Sequence, residues 1–387
     1  MLCRFEDRQA GRVLALHGLS RRIVARSADE LEPAFEQIAR AQAQGCWVAL
    51  LLNYELGEWL EPAVLQPGGR AAAPDADADD ARLTALVYRQ GVSGPIPDRP
   101  GAAPPMRIRT AARIRKSRYL DDIRHLHECI GRGQLYQVNH TFPMDVEPPA
   151  DPRALYDAIA ARHPTAHAAY IEDGERRILS FSPELFVARQ GQTLTVRPMK
   201  GTAPRHADPQ QDFQSGQDLL RSEKNRAENL MIVDLLRNDL GRLAQPGSVR
   251  VENLFTLEKY PSVWTLTSTV TARAPGKSLG EILRALFPCG SVTGAPKIAA
   301  MRKIRQMEAG PRGIYCGSVG WLAPDGDFSL NVAIRTIEIH GSRAGVFGVG
   351  GGIVHDSDPQ REWEECLWKA RVLDLDHHDG DDTHTSD

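Results

Sequence analysis

The chain has 387 residues, of which 42% are hydrophobic and 25% are charged, so it can bury the core of one large or two modest globular units. A formal net charge of -3 gives no broad basic field for nucleic acid, and no uninterrupted apolar run reaches the roughly 20 residues that cross a bilayer. Six cysteines without paired spacing, and no secretory apolar segment after Met1, predict reduced thiols in a soluble, cytoplasmic protein that binds neither nucleic acid nor membrane.

Residues 1–110 are expected to form an N-terminal region with one helix and two strands. The helix is predicted over residues 29–44 and an apolar strand over residues 46–52. Residues 67–105 are rich in Ala, Asp, Pro and Gly, and this composition buries too little apolar surface to become ordered alone. We therefore expect a flexible insertion there, built around one strand at residues 82–88.

Residues 111–375 contain a long series of periodic segments and are predicted to form the functional region. Helices are predicted at residues 117–132, 151–162, 222–243 and 359–372. Strands are predicted at residues 167–172, 178–180, 185–188, 193–196, 264–272, 314–322, 329–339 and 344–349. Runs of antiparallel strands between helices indicate an α+β fold with large sheets and helices outside. The polar residues 376–387 are expected to be a disordered tail.

Two predicted helices have recognisable starts. Ser222 is a plausible N-cap, and Asp358 precedes a proline at the first helical position of the other helix. The helix that follows Ser222 is predicted to bury one face, made of Ala227, Leu230, Met231, Val233 and Leu236.

The same two helices carry candidate metal ligands. Asn225 and Glu228 are three residues apart on the first, and Glu362, Glu365 and Lys369 follow at spacings of three and four on the second. The spacing alone favours a solvated ion pair between Glu365 and Lys369. Two helices that carry carboxylates could instead hold one hard cation such as Mg²⁺, and both interpretations stay open at this level.

One run of residues predicts a nucleophile. Residues 196–203 place Lys200 between a proline, which fixes the approach of the chain, and Gly201, which lets backbone or ligand come close. That setting suits a positioned nucleophile better than a solvated charge.

A glycine run and two polar side chains form a candidate carboxylate site. The run from Gly348 to Ile353 follows an apolar strand, and its three successive glycines, Gly350, Gly351 and Gly352, can present backbone N–H groups to an anion, although a glycine-rich turn or bulge would explain them equally well. Tyr315 and Arg335 fall on predicted strands and offer a hydroxyl and a bidentate fork.

Six segments in one order resemble the chorismate-utilizing enzymes, a family that includes anthranilate synthase component I, isochorismate and salicylate synthases, and aminodeoxychorismate synthase component I. They are Ser182-Pro183-Glu184-Leu185, Pro198-Met199-Lys200-Gly201-Thr202, Arg226 to Leu235 with Arg237-Asn238-Asp239, Ser291 to Lys297, Gly350 to Val354, and Glu362-x-x-Glu365-x-x-x-Lys369. The similarity covers about residues 115–373, with Asn53 to Gly57 as weaker support. It implies a β-sandwich core of antiparallel sheets with helices outside, and chorismate as substrate.

Two positions discriminate within the family. Members that resemble anthranilate synthase carry a small alanine where Lys200 stands, whereas aminodeoxychorismate synthase has a lysine that is taken to attack the second ring carbon of chorismate. Gln137 stands where the isochorismate and salicylate enzymes carry a water-activating lysine, and an amide is no useful base near neutral pH. The resemblance therefore implies a product aminated at the fourth carbon, 4-amino-4-deoxychorismate, an intermediate of 4-aminobenzoate and folate biosynthesis.

The resemblance also implies a role for each site residue. Glu184 would be the general acid and Lys200 the nucleophile, while Glu228 and Glu365 would hold Mg²⁺ directly and Glu362 through water. The chorismate-binding residues would be Gln137, Gly201, Thr202, Thr293, Tyr315, Arg335, Gly350, Gly351, Gly352 and Lys369. A separate glutamine amidotransferase subunit is expected to supply ammonia.

Two departures leave alternatives open. Thr265 stands where many relatives have histidine, and Asn225 replaces a frequent carboxylate three residues before Glu228. A scaffold without activity would fit these changes, and an anthranilate synthase component would fit the rest of the pattern. Lys200 weighs against the anthranilate synthase component, and the retained Glu184, Lys200, Glu228 and Glu365 weigh against the scaffold.

Overall fold

The computed structural model describes residues 1–65, 81–97, 108–260 and 263–374. Most of the predicted insertion at 67–105 and the whole predicted tail at 376–387 lie outside the described residues. The helices are α1 Leu31–Ala43, α2 Leu56–Leu60, α3 Lys116–Gly131, α4 Pro152–Arg162, α5 Pro209–Arg221, α6 Glu223–Gly241, α7 Leu279–Leu286, α8 Lys297–Met307 and α9 Pro359–Ala370. The first nine strands are β1 Cys3–Asp7, β2 Arg12–Ala25, β3 Trp47–Leu52, β4 Leu83–Pro95, β5 Thr110–Ala112, β6 Gln137–Val146, β7 His167–Asp173, β8 Arg176–Ser182 and β9 Leu185–Gln190. The others are β10 Thr193–Arg197, β11 Met199–Pro204, β12 Arg250–Lys259, β13 Val263–Arg273, β14 Gly294–Ala295, β15 Ser318–Leu322, β16 Phe328–Asn331, β17 Thr336–His340 and β18 Gly345–Ile353.

All of the strand pairings are antiparallel, and one path joins them. Its order is β6, β18, β17, β8, β7, β1, β2, β4, β3, β15, β16, β9, β10 and β13. β5 and β14 pair with β6 at one end of the path, and β11 and β12 pair with β13 at the other. The N-terminal strands β1 to β4 thus lie in the middle of the path.

The core shows that the two halves of this path face each other. Side chains alternate between the two faces of a strand. On β3, Ala49 and Leu51 belong to a small cluster with Ala169 of β7, while Leu50 of β3 and Tyr170 of β7 belong to a larger cluster that contains helix residues. One face of each half therefore packs on the other half and the opposite face packs on helices, which confirms the predicted α+β sandwich.

The predicted elements agree with the structure except at two breaks. The strand predicted at 314–322 begins only at Ser318, because residues 314–317 form a turn in which Cys316 has a φ of 61°. The strand predicted at 329–339 is two strands, β16 and β17, interrupted where Arg335 has a φ of 50°. Periodicity could not reveal these breaks, because apolar residues continue across both.

The helix caps were predicted correctly, and one buried face was correct at Val233 and Leu236 but not throughout. Ser222 Oγ accepts from the backbone of Asn225, and Asp358 caps α9. On α6 the buried residues are Asn229, Ile232, Val233, Leu236, Asp239 and Leu240, and the predicted Ala227 and Leu230 are exposed. The face is rotated because Asn229 is buried, where it binds the carbonyl of Leu266 and the hydroxyl of Ser268.

All six cysteines are free thiols, as predicted. None of the helices within the described ranges combines the length and the apolar character that a membrane-spanning helix needs.

Candidate active site

Four glycines on β18 let other parts of the site come close to the strand. A methyl carbon added to Gly348 would lie 2.2 Å from the ring of Tyr315, and one added to Gly350 would lie 2.5 Å from the carbonyl oxygen of His140. At Gly351 the added carbon would lie 2.8 Å from Glu362 Oε2, and at Gly352 it would lie 2.8 Å from Gln137 Nε2. The glycines belong to the strand itself and pair with β6. The turn that seemed an equal explanation of this run is therefore excluded, and the glycines are needed for close approach.

Lys200 and Gln137 meet at Gly352. The added methyl carbon at Gly352 would lie 3.2 Å from Lys200 Nζ as well as 2.8 Å from Gln137 Nε2. Gln137 is buried, and neither atom of its amide has a hydrogen-bond partner among the described residues. An unpartnered buried amide is costly unless a ligand completes it, so this point of the site has the character of a binding surface.

Glu184 lies between β8 and β9 and is buried. Its Oε1 accepts a 2.7 Å hydrogen bond from Ser291 Oγ. Burial raises the pKa of Glu184 to about 7, although Ser291, the charge of Lys200 and the backbone of Met199 each lower it. A carboxyl with this pKa is partly protonated near neutrality and can act as an acid.

The three predicted metal ligands lie on α6 and α9. Ser357 Oγ donates to Glu362 Oε1 at 2.7 Å, and burial followed by the charge of Glu365 raises the pKa of Glu362. Lys369 lowers the pKa of Glu365, with which it forms a 2.8 Å ion pair. The ion pair that the helical spacing predicts between Glu365 and Lys369 is thus present. Because this pair accounts for the Glu365 carboxylate, the spacing of the two residues does not by itself indicate a metal.

The ammonium group of Lys224 interacts with Glu228 and with the other two carboxylates. Lys224 Nζ lies 4.0 Å from Glu228 Oε1 and also lowers the pKa values of Glu362 and Glu365. Carboxylate oxygens fit Mg²⁺, which usually takes only one or two of them together with water and substrate. Within the described ranges no three His, Cys, Asp or Glu residues form a group that could hold a metal. The donor chemistry therefore fits Mg²⁺, but a complete cage from protein alone is not formed.

The C-terminal lysine of the motif contacts the glycine strand. Lys369 Nζ donates to the carbonyl oxygen of Gly350 at 2.8 Å. Because Glu362 Oε2 also lies against Gly351, α9 is fixed over β18 at two successive residues. The helix that carries the carboxylates and the strand that carries the glycines thus form one wall.

Arg335 retains free donors for an anion, whereas the Tyr315 hydroxyl already has a partner. Burial raises the pKa of Tyr315 well above its ordinary value and a hydrogen bond to Cys316 raises it further, so the hydroxyl keeps its proton. The Arg335 side chain forms no hydrogen bond or ion pair with the residues that the structure describes, and burial lowers its pKa. A guanidinium in that condition, on backbone with a positive φ, is suited to bind a carboxylate.

The two departures from the family pattern, Thr265 and Asn225, lie beside Gly201. This glycine has a φ of 85°, and Thr265 Oγ1 donates to its carbonyl oxygen at 3.0 Å. A methyl carbon at Gly201 would lie 3.1 Å from the side chain of Asn225. Both substituted residues therefore contact the glycine next to Lys200.

The remaining predicted residues lie at the edges of this arrangement. Thr202 is exposed and shares a polar pocket of about 550 Å³ with Asn225 and His206. Thr293 is buried and its hydroxyl donates to the carbonyl of Cys289, so its polar side chain is already partnered. Within the described residues no hydrogen bond or ion pair joins Thr202, Thr293 or Arg335 to Lys200.

No role is predicted from the sequence for Ser291 or Lys224. Gly348 belongs to the predicted glycine run, but the sequence does not predict the close approach of Tyr315 to this residue. The contacts of Ser291 and Gly348 are with residues distant in sequence, Glu184 and Tyr315. Only Lys224 had a local signal, since it lies four residues before Glu228 on the same helix.

The chain is similar to known proteins along most of its length. A family model described as chorismate binding enzyme matches residues 5–374. Aminodeoxychorismate synthase component 1 of Klebsiella aerogenes is 41% identical over 264 residues, which cover 68% of this chain and 58% of that protein. Anthranilate synthase component 1 of Thermus thermophilus is 37% identical over 302 residues, which cover 78% of this chain and 65% of that protein. The chain thus spans roughly three fifths of the length of these relatives.

Solved structures share the fold at lower identity. Anthranilate synthase component I from Streptococcus pneumoniae superposes with a TM-score of 0.80 at 22% identity, covering 94% of this chain and 92% of that one. MenF, the menaquinone-specific isochorismate synthase of Escherichia coli, superposes with a TM-score of 0.74 at 21% identity, covering 97% and 88%.

Proposed function

The chain belongs to the family of chorismate binding enzymes, and from that premise we propose that it aminates chorismate at the fourth ring carbon. The reaction consumes chorismate and ammonia and yields 4-amino-4-deoxychorismate and water. The observation that carries the proposal is the position of Lys200. Its amine lies beside Gly352 and has no hydrogen-bond or ion-pair partner among the described residues. Its charge lowers the pKa values of both Glu184 and Glu365.

The first half of the reaction uses Glu184 and Lys200. The carboxylic acid of Glu184 gives its proton to the hydroxyl on the fourth ring carbon, and that C–O bond breaks with loss of water. The amine of Lys200, in its uncharged form, makes a C–N bond to the second ring carbon while the ring double bond shifts, and the resulting ammonium passes one proton to the Glu184 carboxylate. The lysine thereby blocks the second carbon against ammonia.

Ammonia completes the reaction at the fourth carbon. Its nitrogen forms a C–N bond there and gives up one proton, the double bond returns, and the bond to Lys200 breaks as the lysine nitrogen takes up one proton and leaves as the free amine. Gln137 cannot activate a water molecule to attack in place of ammonia, because an amide is not a useful base near neutral pH. This residue supports amination over hydration.

The substrate carboxylates need their own partners. Tyr315, Arg335 and the backbone of β18 would bind the enolpyruvyl carboxylate, with Lys369 fixing the strand from behind. Glu228, Glu362 and Glu365 would hold Mg²⁺, which supplies a hard positive charge for the ring carboxylate when bound. The component 1 name of the relatives supports a separate glutamine amidotransferase subunit as the source of ammonia.

The test is an assay with chorismate, an ammonium salt and Mg²⁺ in which chromatography separates 2-amino from 4-amino products. We expect the 4-amino product, and Lys200→Ala should reduce its formation by about a thousandfold or more, as expected when a nucleophile is lost. Lys116→Ala, which removes an exposed lysine at the start of α3, is the control and should keep full activity. A 2-amino product from the native chain would show an anthranilate-type enzyme, and no product would favour the scaffold alternative.

Intact mass measurement provides a second readout. Native chain with chorismate but without ammonia should gain the mass of chorismate less one water, and Lys200→Ala should not. Full 4-amination by Lys200→Ala would remove the lysine from the mechanism.

A further inference from the structure

Ser291 lies in a buried turn directly against the proposed acid. The turn spans Gly290–Val292, between α7 and β14. Ser291 Oγ is 2.7 Å from Glu184 Oε1 and 3.2 Å from Cys289 Sγ, and all three residues are buried. Neither Ser291 nor Cys289 takes part in the bond-making and bond-breaking steps of the proposed reaction.

The direction of these hydrogen bonds follows from counting protons. A serine hydroxyl has one proton to donate, and the carboxyl oxygen is a better acceptor than a thiol sulfur. Burial raises the pKa of Cys289 to about 12, so the thiol keeps its proton and can donate to Ser291 Oγ. The chain of donors therefore runs from Cys289 through Ser291 to Glu184 Oε1.

The turn is rigidly held, so the serine cannot easily follow a moving carboxyl. Thr293 Oγ1 donates to the carbonyl oxygen of Cys289 at 2.8 Å. Arg312 Nη1 donates to the carbonyl oxygen of Val292 at 2.9 Å. The turn is thus anchored on both sides of Ser291, which fixes the direction from which its hydroxyl reaches Glu184.

One oxygen of Glu184 is consequently occupied. Because Oε1 already accepts the serine proton, the acidic proton of Glu184 is favoured on Oε2. The carboxyl is also prevented from rotating, since rotation would break the bond to Ser291. The charged and titratable groups that face Glu184 are Lys200 on β11 and Cys289 in the turn, and the backbone of Met199 donates a further hydrogen bond.

We propose that Ser291 is a positioning residue that selects which oxygen of Glu184 carries the transferable proton, with Cys289 completing the donor chain behind it. The inference rests on the proposed function, in which Glu184 is the general acid. It extends that function by assigning the orientation of the acid to a residue 107 positions away in sequence.

The kinetic test compares Ser291→Ala with native protein. We expect kcat for 4-amination to fall about tenfold or more, within the range that general acid catalysis contributes, with KM for chorismate nearly unchanged. The alkaline limb of the kcat profile should move to higher pH, because Ser291 lowers the pKa of Glu184 and this effect is removed. Ser291→Thr keeps a hydroxyl and should restore part of the rate.

Two control variants separate positioning from packing. Ser318→Ala deletes another buried serine, one that donates to the carbonyl of Asn331, and it should leave the pH profile in place. Cys289→Ala removes only the outer donor and should shift the profile in the same direction by less. A fall in kcat without any shift of the alkaline limb in Ser291→Ala would mean that the serine is merely structural.

A direct titration of Glu184 makes the inference independent of the reaction. Infrared difference spectra of the chain without chorismate can follow the carboxylic acid C=O stretch of Glu184, with Glu184→Gln identifying the band. The midpoint in Ser291→Ala should lie higher by about one pH unit, the equivalent of one hydrogen bond to a charged group. An unchanged midpoint would overturn the proposal even if 4-amination is confirmed. A raised midpoint would support the orientation of Glu184 even if the product assay fails.

Discussion

Two polar regions that share β6 differ in how their groups are partnered. In the first, Arg312 donates to Glu308 and to the carbonyl oxygens of Val292 and Asn139, and Glu55 accepts from the backbone of Arg312. In the second, Gln137 and Lys200 meet at Gly352 without hydrogen-bond partners among the described residues. In the first region the buried polar groups are hydrogen-bonded within the protein, and we call it the closed region. In the second the amide and the amine lack such partners, and we call it the open region.

This difference in hydrogen bonding distinguishes a region that supports the fold from a region that can bind a ligand. A buried polar group that lacks a partner destabilises the protein by roughly 1–3 kcal/mol, so open groups persist where a ligand completes them. The closed region adjoins the open one and the serine turn along the chain, because Asn139 is two residues from Gln137 and Val292 is next to Ser291. The hydrogen bonds of Arg312 therefore restrain β6 and the serine turn.

The largest expected effect comes from opening the closed region. Arg312→Met leaves buried Glu308 without its cation and should lower the free energy of unfolding by roughly 3–5 kcal/mol, as for other broken buried ion pairs. Urea denaturation followed by circular dichroism measures this change. Arg237→Met, which breaks an exposed pair with Asp234, is the control and should change it by about 1 kcal/mol or less. Similar losses in the two variants would contradict the distinction.

A smaller effect is expected from crowding the open region. In Gly348→Ala the new methyl group would lie 2.2 Å from the ring of Tyr315, so the tyrosine or β18 must move. A displacement near 1 Å should reduce kcat/KM for chorismate by about a hundredfold. Gly94→Ala on β4, where no atom lies within 4 Å of the new methyl group, should leave kcat/KM intact. Native kinetics in both variants would show that the close approach to Tyr315 is not required.

The smallest effect should have the opposite sign for stability. Gln137→Met removes an amide without hydrogen-bond partners and should raise the free energy of unfolding by roughly 1–2 kcal/mol, while 4-amination falls. Gln42→Met, in which the lost amide donates to the carbonyl of Ala323, should instead be destabilising. Denaturation and the product assay on the same preparations provide both readouts. A destabilised but fully active Gln137→Met would place this residue in the closed region.

Local patterns in the sequence correctly predicted several helices and their caps. The caps at Ser222 and Asp358 and the helix at 151–162 depend on residues within one turn, and such short-range preferences survive folding. The same reasoning predicted only part of the buried face of α6, because Asn229 is buried against Leu266 and Ser268, which come from another part of the chain.

The sequence by itself determined which reactive groups are available: one lysine between a proline and a glycine, one glutamate in a short motif, and carboxylates at helical spacing. Only the tertiary structure decided which of them meet. Lys200, Gln137 and Gly352 converge because β18 pairs with β6 and because glycine leaves room between them. Ser291 reaches Glu184 across 107 residues. Such contacts depend on the pairing of strands distant in sequence and on the space that glycines leave. Local periodicity predicts neither of these.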